Sequence, residues 1–166
     1  GTTNTLRTLG KPAGYIVFLG DALKAVFAVW IVRYLLFPGL GDVTKILETV
    51  TALGVVLGHN YPFYMNFKGG KGIAATFGCF LGLLPHWIPL CVLAGIFIFF
   101  SCVVKINPNY YRTVATYILA AICTVWLEPN RYIVFGFLLI AASVLAKLFM
   151  SAEEKEHFEV KLAWKH

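Results

Sequence analysis

The chain alternates between apolar runs and short polar joints. Four runs, at residues 12–37, 87–104, 112–127 and 132–150, approach the length of a bilayer-crossing helix, which takes roughly 20 apolar residues with a range of about 17–25. Two shorter runs, 46–58 and 73–84, flank a polar loop. They either cross with help from their flanks or dip in as a re-entrant pair. Pro38-Gly39, Pro62, Pro85, Pro108 and Pro129 all fall between runs, where helix breakers belong. The pattern predicts an all-α, polytopic membrane bundle of six crossings. It forms a single transmembrane domain over 1–150, followed by a tail over 151–166 suited to an interfacial helix.

Composition supports that reading. The 166 residues are 59% hydrophobic and 13% charged, with a mean hydropathy of +0.76. An average soluble domain is about 45–50% apolar and about 25% charged, so the charges here could not cover a soluble core. Disorder, a nucleic-acid-binding tail and a disulfide scaffold are excluded. Cys79, Cys91, Cys102 and Cys123 all lie in apolar runs and read as small buried hydrophobes. The chain opens on Gly1 rather than Met, which reads as a fragment or processed form.

The net charge of +6 adds orientation. With alternating crossings, one side carries Arg7, Lys11, Lys68, Lys71, Lys105, Arg112, Lys147, Lys155, Lys161 and Lys165. The other carries Arg33, Lys45 and Arg131, diluted by Asp42, Glu48 and Glu128. The positive-inside rule makes the first side cytoplasmic. Gly54 with Gly58, and Gly78 with Gly82, are G-x-x-x-G pairs expected to let helix backbones approach closely in lipid.

The loop between the two short runs holds the least bland chemistry. Lys68-Gly69-Gly70-Lys71-Gly72 sets two cations among three glycines just before an apolar helix. Glycine lets backbone N–H groups approach a ligand, and the following helix N-terminus adds donors and partial positive charge. The combination suits a phosphate or similar anion rather than a bare connector. It is not a nucleotide P-loop, because Gly72 follows Lys71 where Ser or Thr is required and no strand precedes it. A second polar cluster, GTTNTLRTLG over 1–10, offers threonine hydroxyls, Asn4 and the Arg7 fork on the same membrane side. Either helix capping or phosphate binding accounts for it alone. Asp21 and Lys24, three apart inside an apolar run, read as a mutual pair. His59 is open to roles as base, cap or interfacial side chain, and no His-x-x-x-x-Asp dyad follows it, since Tyr64 stands at that position. No serine triad, paired carboxylates or metal-ligand cluster emerges.

The segments 1–10, 58–62 (GHNYP) and 67–76 (FKGGKGIAAT) resemble the first and second motifs of the PlsY-type bacterial glycerol-3-phosphate acyltransferases, with close likeness over 1–78. The resemblance implies a multi-pass enzyme of the bacterial inner membrane with its motifs on the cytoplasmic side. It implies seven spans, one of them preceding Gly1, and acyl transfer from acyl phosphate to the sn-1 hydroxyl of glycerol 3-phosphate, giving lysophosphatidate. No metal, cofactor, acyl-CoA, carrier protein or nucleic acid is implied; the partners are the two phosphate substrates and membrane lipid. Position by position, Thr3, Asn4, Arg7, Lys68, Gly69, Gly70, Lys71 and Gly72 fall at substrate-binding positions. His59 falls at the histidine opening the second motif, and is expected to act in catalysis. A third motif, Arg-x-Val-Ser-x-x-Ser, is not matched in register; Lys105 or Arg112 supplies the only cation there. The family's closing His-Arg-x-Asn motif is also absent. These departures leave a rival expectation, a non-catalytic protein keeping the phosphate pocket as a lipid or anion sensor.

Overall fold

The computed structural model describes residues 2–67, 69–107, 109–150 and 159–162. For Thr3, Arg7, Asn107 and 159–162 only the backbone is described. The elements are α1 (Thr2–Thr8), α2 (Lys11–Trp30, continued by a π-helical stretch Ile31–Leu36), α3 (Asp42–Asn60) and α4 (Ile73–Gly82). They are followed by α5 (Ile88–Ile98, continued by a π-helical stretch Phe99–Val103), β1 (Val104–Asn107), α6 (Asn109–Leu127), α7 (Arg131–Met150) and β2 (Glu159–Leu162). Each of the six apolar runs becomes one helix. Pro12 and Pro89 stand in first turns, where their missing N–H costs nothing. Asn130 Oδ1 accepts from the N–H groups of Tyr132 (3.0 Å) and Ile133 (3.4 Å), capping α7.

Helix α3 is longer than the 46–58 run. Its first turns are polar because Thr44, Glu48 and Thr49 face inward, onto partners, rather than toward lipid. Among the described residues, two helices are long and apolar enough to cross a bilayer unaided, 11–36 and 131–150. Large side chains such as Ile16, Leu19, Phe27, Ile122, Trp126, Phe135 and Phe149 point outward. An apolar exterior on this scale is untenable in water and suited to lipid.

Helix α4 lies at the centre, with Ala75, Cys79 and Phe80 buried among α2, α3 and α7. Phe80 stacks on Phe137 at 5.0 Å between ring centroids, a contact worth about 0.5–1.5 kcal/mol beyond its burial. Of the expected close-packing glycines, one pair behaves as such. A Cβ on Gly78 would strike the backbone of Ala22, and one on Gly82 would lie 3.0 Å from Val29 Cβ. Gly54 and Gly58 face open space instead, because α3 turns Ala52, Val56 and Asn60 inward and that pair away. Cys79 is buried, but Cys91 and Cys102 are exposed on the apolar exterior, and all four cysteines are free.

The parallel seam of α2 with α4 changes the level of the charged pair. Phe18 meets Phe77 at 6.4 Å and Ala22 meets Gly78. Residues 11–17 therefore run on beyond the start of α4 by roughly 10 Å at 1.5 Å per residue. Asp21 and Lys24 stand beside the last turn of α3, close to the start of α4. Helix α1 folds back on this overhang, its Leu6 seated on Gly14.

Of the tail expected to form an interfacial helix, 151–158 and 163–166 lie outside the described residues, and 159–162 are extended. Residues 159–162 form β2, antiparallel to β1, with Val104 opposite Leu162 and Asn107 opposite Glu159. The apolar-polar alternation of Val160-Lys161-Leu162 has the two-residue period of a strand. This ribbon is the one β feature among the described residues of an otherwise helical fold.

Candidate functional site

The glycine loop hangs from the end of α3. Tyr61-Pro62 stops that helix, leaving carbonyls that no helical N–H can reach. The loop supplies them: Gly69 N–H donates to Asn60 O (3.2 Å) and Gly70 N–H to His59 O (3.1 Å). A side chain at either glycine is sterically excluded. At Gly69 a Cβ would collide with His59 O and Pro62 Cδ, and at Gly70 with His59 Nε2. Two loop amides thus bind α3 instead of pointing at a ligand. A ligand would meet the first turn of α4, whose N–H groups have no intrahelical acceptor. Gly72 caps that turn at φ 79°, a left-handed conformation that favours glycine. Thr76 N–H (2.8 Å) and Oγ1 (2.7 Å) both donate to Gly72 O.

Beneath the loop, Asn60 is fully buried. Its Nδ2 donates to Ser143 Oγ at 3.3 Å, while its Oδ1 has no partner among the described residues and faces Gly72. His59 is tied to α2: Lys24 Nζ lies 2.6 Å from Asp21 Oδ1 and 3.1 Å from His59 Nδ1, and Asp21 Oδ1 is 3.4 Å from the same nitrogen. The segment before Lys68 is strained, with Asn66 (φ 51°) and Phe67 (φ 59°) both left-handed, at a cost on the order of 1–3 kcal/mol each. Lys147 of α7 holds it, donating to Phe67 O at 3.1 Å while its ammonium sits 4.4 Å above the Tyr61 ring.

The chain as a whole has counterparts among known proteins. The family profile described as glycerol-3-phosphate acyltransferase matches residues 1–156. A glycerol-3-phosphate acyltransferase of Geotalea daltonii is 35% identical over 147 residues, covering 89% of this chain and 71% of that one. One from Coxiella burnetii is 34% identical over 149 residues, covering 89% and 70%. The crystal structure of PlsY (YgiH), an integral membrane glycerol 3-phosphate acyltransferase, in its lysophosphatidic acid form superposes with a TM-score of 0.69 at 27% identity, covering 89% of this chain and 70% of that one. The chain belongs to the glycerol-3-phosphate acyltransferase family. It is a multi-pass membrane protein with an all-α membrane fold.

In this acyltransferase the residues singled out from sequence fall into groups. The loop brings Gly69 and Gly70 onto His59 and Gly72 onto Asn60, with Lys71 between the last two glycines. The side chains of Thr3 and Arg7, and all of Lys68, lie outside the described residues. Asn4 is exposed on α1, its carbonyl accepting from Thr8 Oγ1 at 2.9 Å. Lys105 is exposed on β1. Arg112 is turned onto Asn109 and the Phe97 ring (5.4 Å), its Nε buried with no partner among the described residues. Hydroxyls with the three-residue spacing of the third motif's serines do stand here, as buried Thr113 and Thr116. Each donates to a carbonyl of its own helix, at 2.8 Å.

Asp21, Lys24, Asn60 and Lys147 emerge as site-forming residues that the sequence did not mark as such. The one legible signal was the charged pair inside an apolar run. A separate cavity of about 430 Å³ opens at the opposite end, lined by Arg33, Tyr34, Thr44, Lys45, Glu48 and His86 among others. Its charges are mutually paired. Arg33 holds Glu48 through two 2.7 Å bonds, Lys45 holds Asp42 at 3.0 Å, and His86 faces Glu128 at 3.6 Å. We assign that end a structural role.

Proposed function

We propose that the protein transfers a fatty acyl group from acyl phosphate to the sn-1 hydroxyl of glycerol 3-phosphate, forming lysophosphatidate. The observation that carries this reading is the glycine loop folded over His59 and Asn60 at the start of α4, in a chain of this family. The acyl carbon–oxygen bond to phosphate breaks as the ester bond to the hydroxyl forms, and the hydroxyl proton leaves with the phosphate. Acyl phosphate is already activated, so the protein needs to position two anions and stabilise charge rather than supply a nucleophile. In this reading Lys68, Gly69, Gly70, Lys71 and Gly72 hold phosphate, and His59 acts at the reacting centre. Thr3, Asn4 and Arg7 contribute from α1. Lys105 and Arg112 stay outside the site.

The six helices α2–α7, the short α4 among them, are assigned as spans of one domain over 1–150, in a bacterial cytoplasmic membrane, with the loop on the cytoplasmic side. The side assignment is supported by the excess of Lys and Arg at that end. Nothing in the relatives favours the sensor alternative. The test gives the purified full-length protein, in lipid, palmitoyl phosphate and glycerol 3-phosphate and follows lysophosphatidate. Steady product is expected; no product beside an active relative in the same lipid overturns the reading.

A further inference from the structure

His59 has two ring nitrogens with unlike surroundings. Nδ1 faces the Asp21–Lys24 pair, 3.1 Å from Lys24 Nζ and 3.4 Å from Asp21 Oδ1. Nε2 faces Gly70, where a Cβ would overlap it, and has no hydrogen-bond partner among the described residues. An ammonium has three donors and no acceptor, so a hydrogen bond from Lys24 requires a bare lone pair on Nδ1. The competing arrangement, an Nδ1–H donating to Asp21, would need to bridge 3.4 Å, beyond the usual range of about 2.7–3.2 Å for N–H···O bonds. It would also set two donors against each other at 3.1 Å. That carboxylate oxygen already accepts from Lys24 at 2.6 Å. A doubly protonated ring meets the same objection, with like charge added. One proton remains on the ring, and its place is Nε2.

We propose that Lys24, itself held by Asp21, fixes His59 in the Nε2–H tautomer. His59 is thereby a hydrogen-bond donor toward the anionic oxygens of the substrate's phosphate, not the base that accepts the hydroxyl proton. The role of Nε2–H rests on reading the glycine loop as the acyl-phosphate site; the tautomer does not. Lys24 and Asp21 are positioning residues, acting on substrate through His59. A donor aimed at developing negative charge is worth about 10²–10³ in kcat when removed. A histidine acting as base would need the Nε2 lone pair that this arrangement denies it.

The deciding measurement is nitrogen NMR of the full chain in lipid with ¹⁵N-labelled histidine, assigned by comparison with His59→Gln. A protonated Nε2 and a bare Nδ1 are expected for His59 at neutral pH. Lys24→Arg, which keeps a pure donor, is expected to preserve that signature. Lys24→Met is expected to move the proton to Nδ1 and to lower kcat about 100-fold. His59→Gln retains an N–H near the Nε2 position without a titratable base, and is expected to keep at least tenfold more activity than His59→Ala. A wild-type ring protonated at Nδ1, a Lys24→Met ring still protonated only at Nε2, or His59→Gln as inactive as His59→Ala overturns the proposal. The NMR result holds whether or not acyl transfer is observed, so its failure is distinct from failure of the assigned reaction.

Discussion

The two ends of the helix bundle use charge in opposite ways. At the cavity end, Arg33 with Glu48, Lys45 with Asp42 and His86 with Glu128 are matched acid to base. At the loop end the Asp21–Lys24 pair is turned onto His59 Nδ1, Asn60 Oδ1 is buried with no partner among the described residues, and Gly70 and Gly72 put no side chain over His59 Nε2 and Asn60 Oδ1. In the reading proposed here, the paired charges of the cavity end clamp helices, and the polar atoms facing the glycine loop serve a ligand.

The sharpest way to break the contrast is Gly69→Ala. The new methyl would meet backbone carbonyl oxygens, which do not yield as a flexible side chain would. The loop must shift by about an ångström, and activity is expected to fall at least about 100-fold, measured as kcat/KM, with the protein still folded. At the other end, Glu48→Gln leaves the partly buried Arg33 without its counterion. A loss of about 1.5–3 kcal/mol in stability is expected, read as a lower unfolding midpoint in detergent, with the KM for glycerol 3-phosphate unchanged in the surviving protein. Lys71→Ala should act in the reverse sense. Removing a charged donor to phosphate costs about 1.5–3 kcal/mol, seen as a tenfold or greater rise in KM for a phosphate substrate at nearly constant stability. Unchanged kinetics would exclude Lys71 from the site. The smallest effect belongs to Gly54→Ala, expected within about 0.5 kcal/mol of the parent. Gly78→Ala, against the Ala22 backbone, should destabilise clearly in the same melting experiment.

The helices and the loop were legible because both are local signals. Apolar runs report length, and Lys68-Gly69-Gly70-Lys71-Gly72 is contiguous. The partners of His59 were not, since Asp21 and Lys24 reach it only through the parallel seam of α2 on α4, which no local pattern encodes. The two G-x-x-x-G pairs look alike in sequence; only the direction each helix face takes separates them. Helix α3 hid its start because its inward residues are polar. The β1–β2 ribbon joins segments more than fifty residues apart, too far for either to announce the other.

The spacing of the Asp21–Lys24 pair also bears on how the chain is made. Synthesis proceeds at about 5–20 residues per second, so the 35 residues from Lys24 to His59 represent roughly 2–7 s. During that interval α2 has emerged and its histidine partner does not yet exist. Because the carboxylate and the ammonium are three residues apart, they neutralise each other on the nascent helix, before any other segment arrives. Arg33, fifteen residues ahead of Glu48, has no such local counterion and stays unmatched until α3 follows. Newborn α2 can therefore enter the bilayer with this pair of charges already quenched by each other on neighbouring turns.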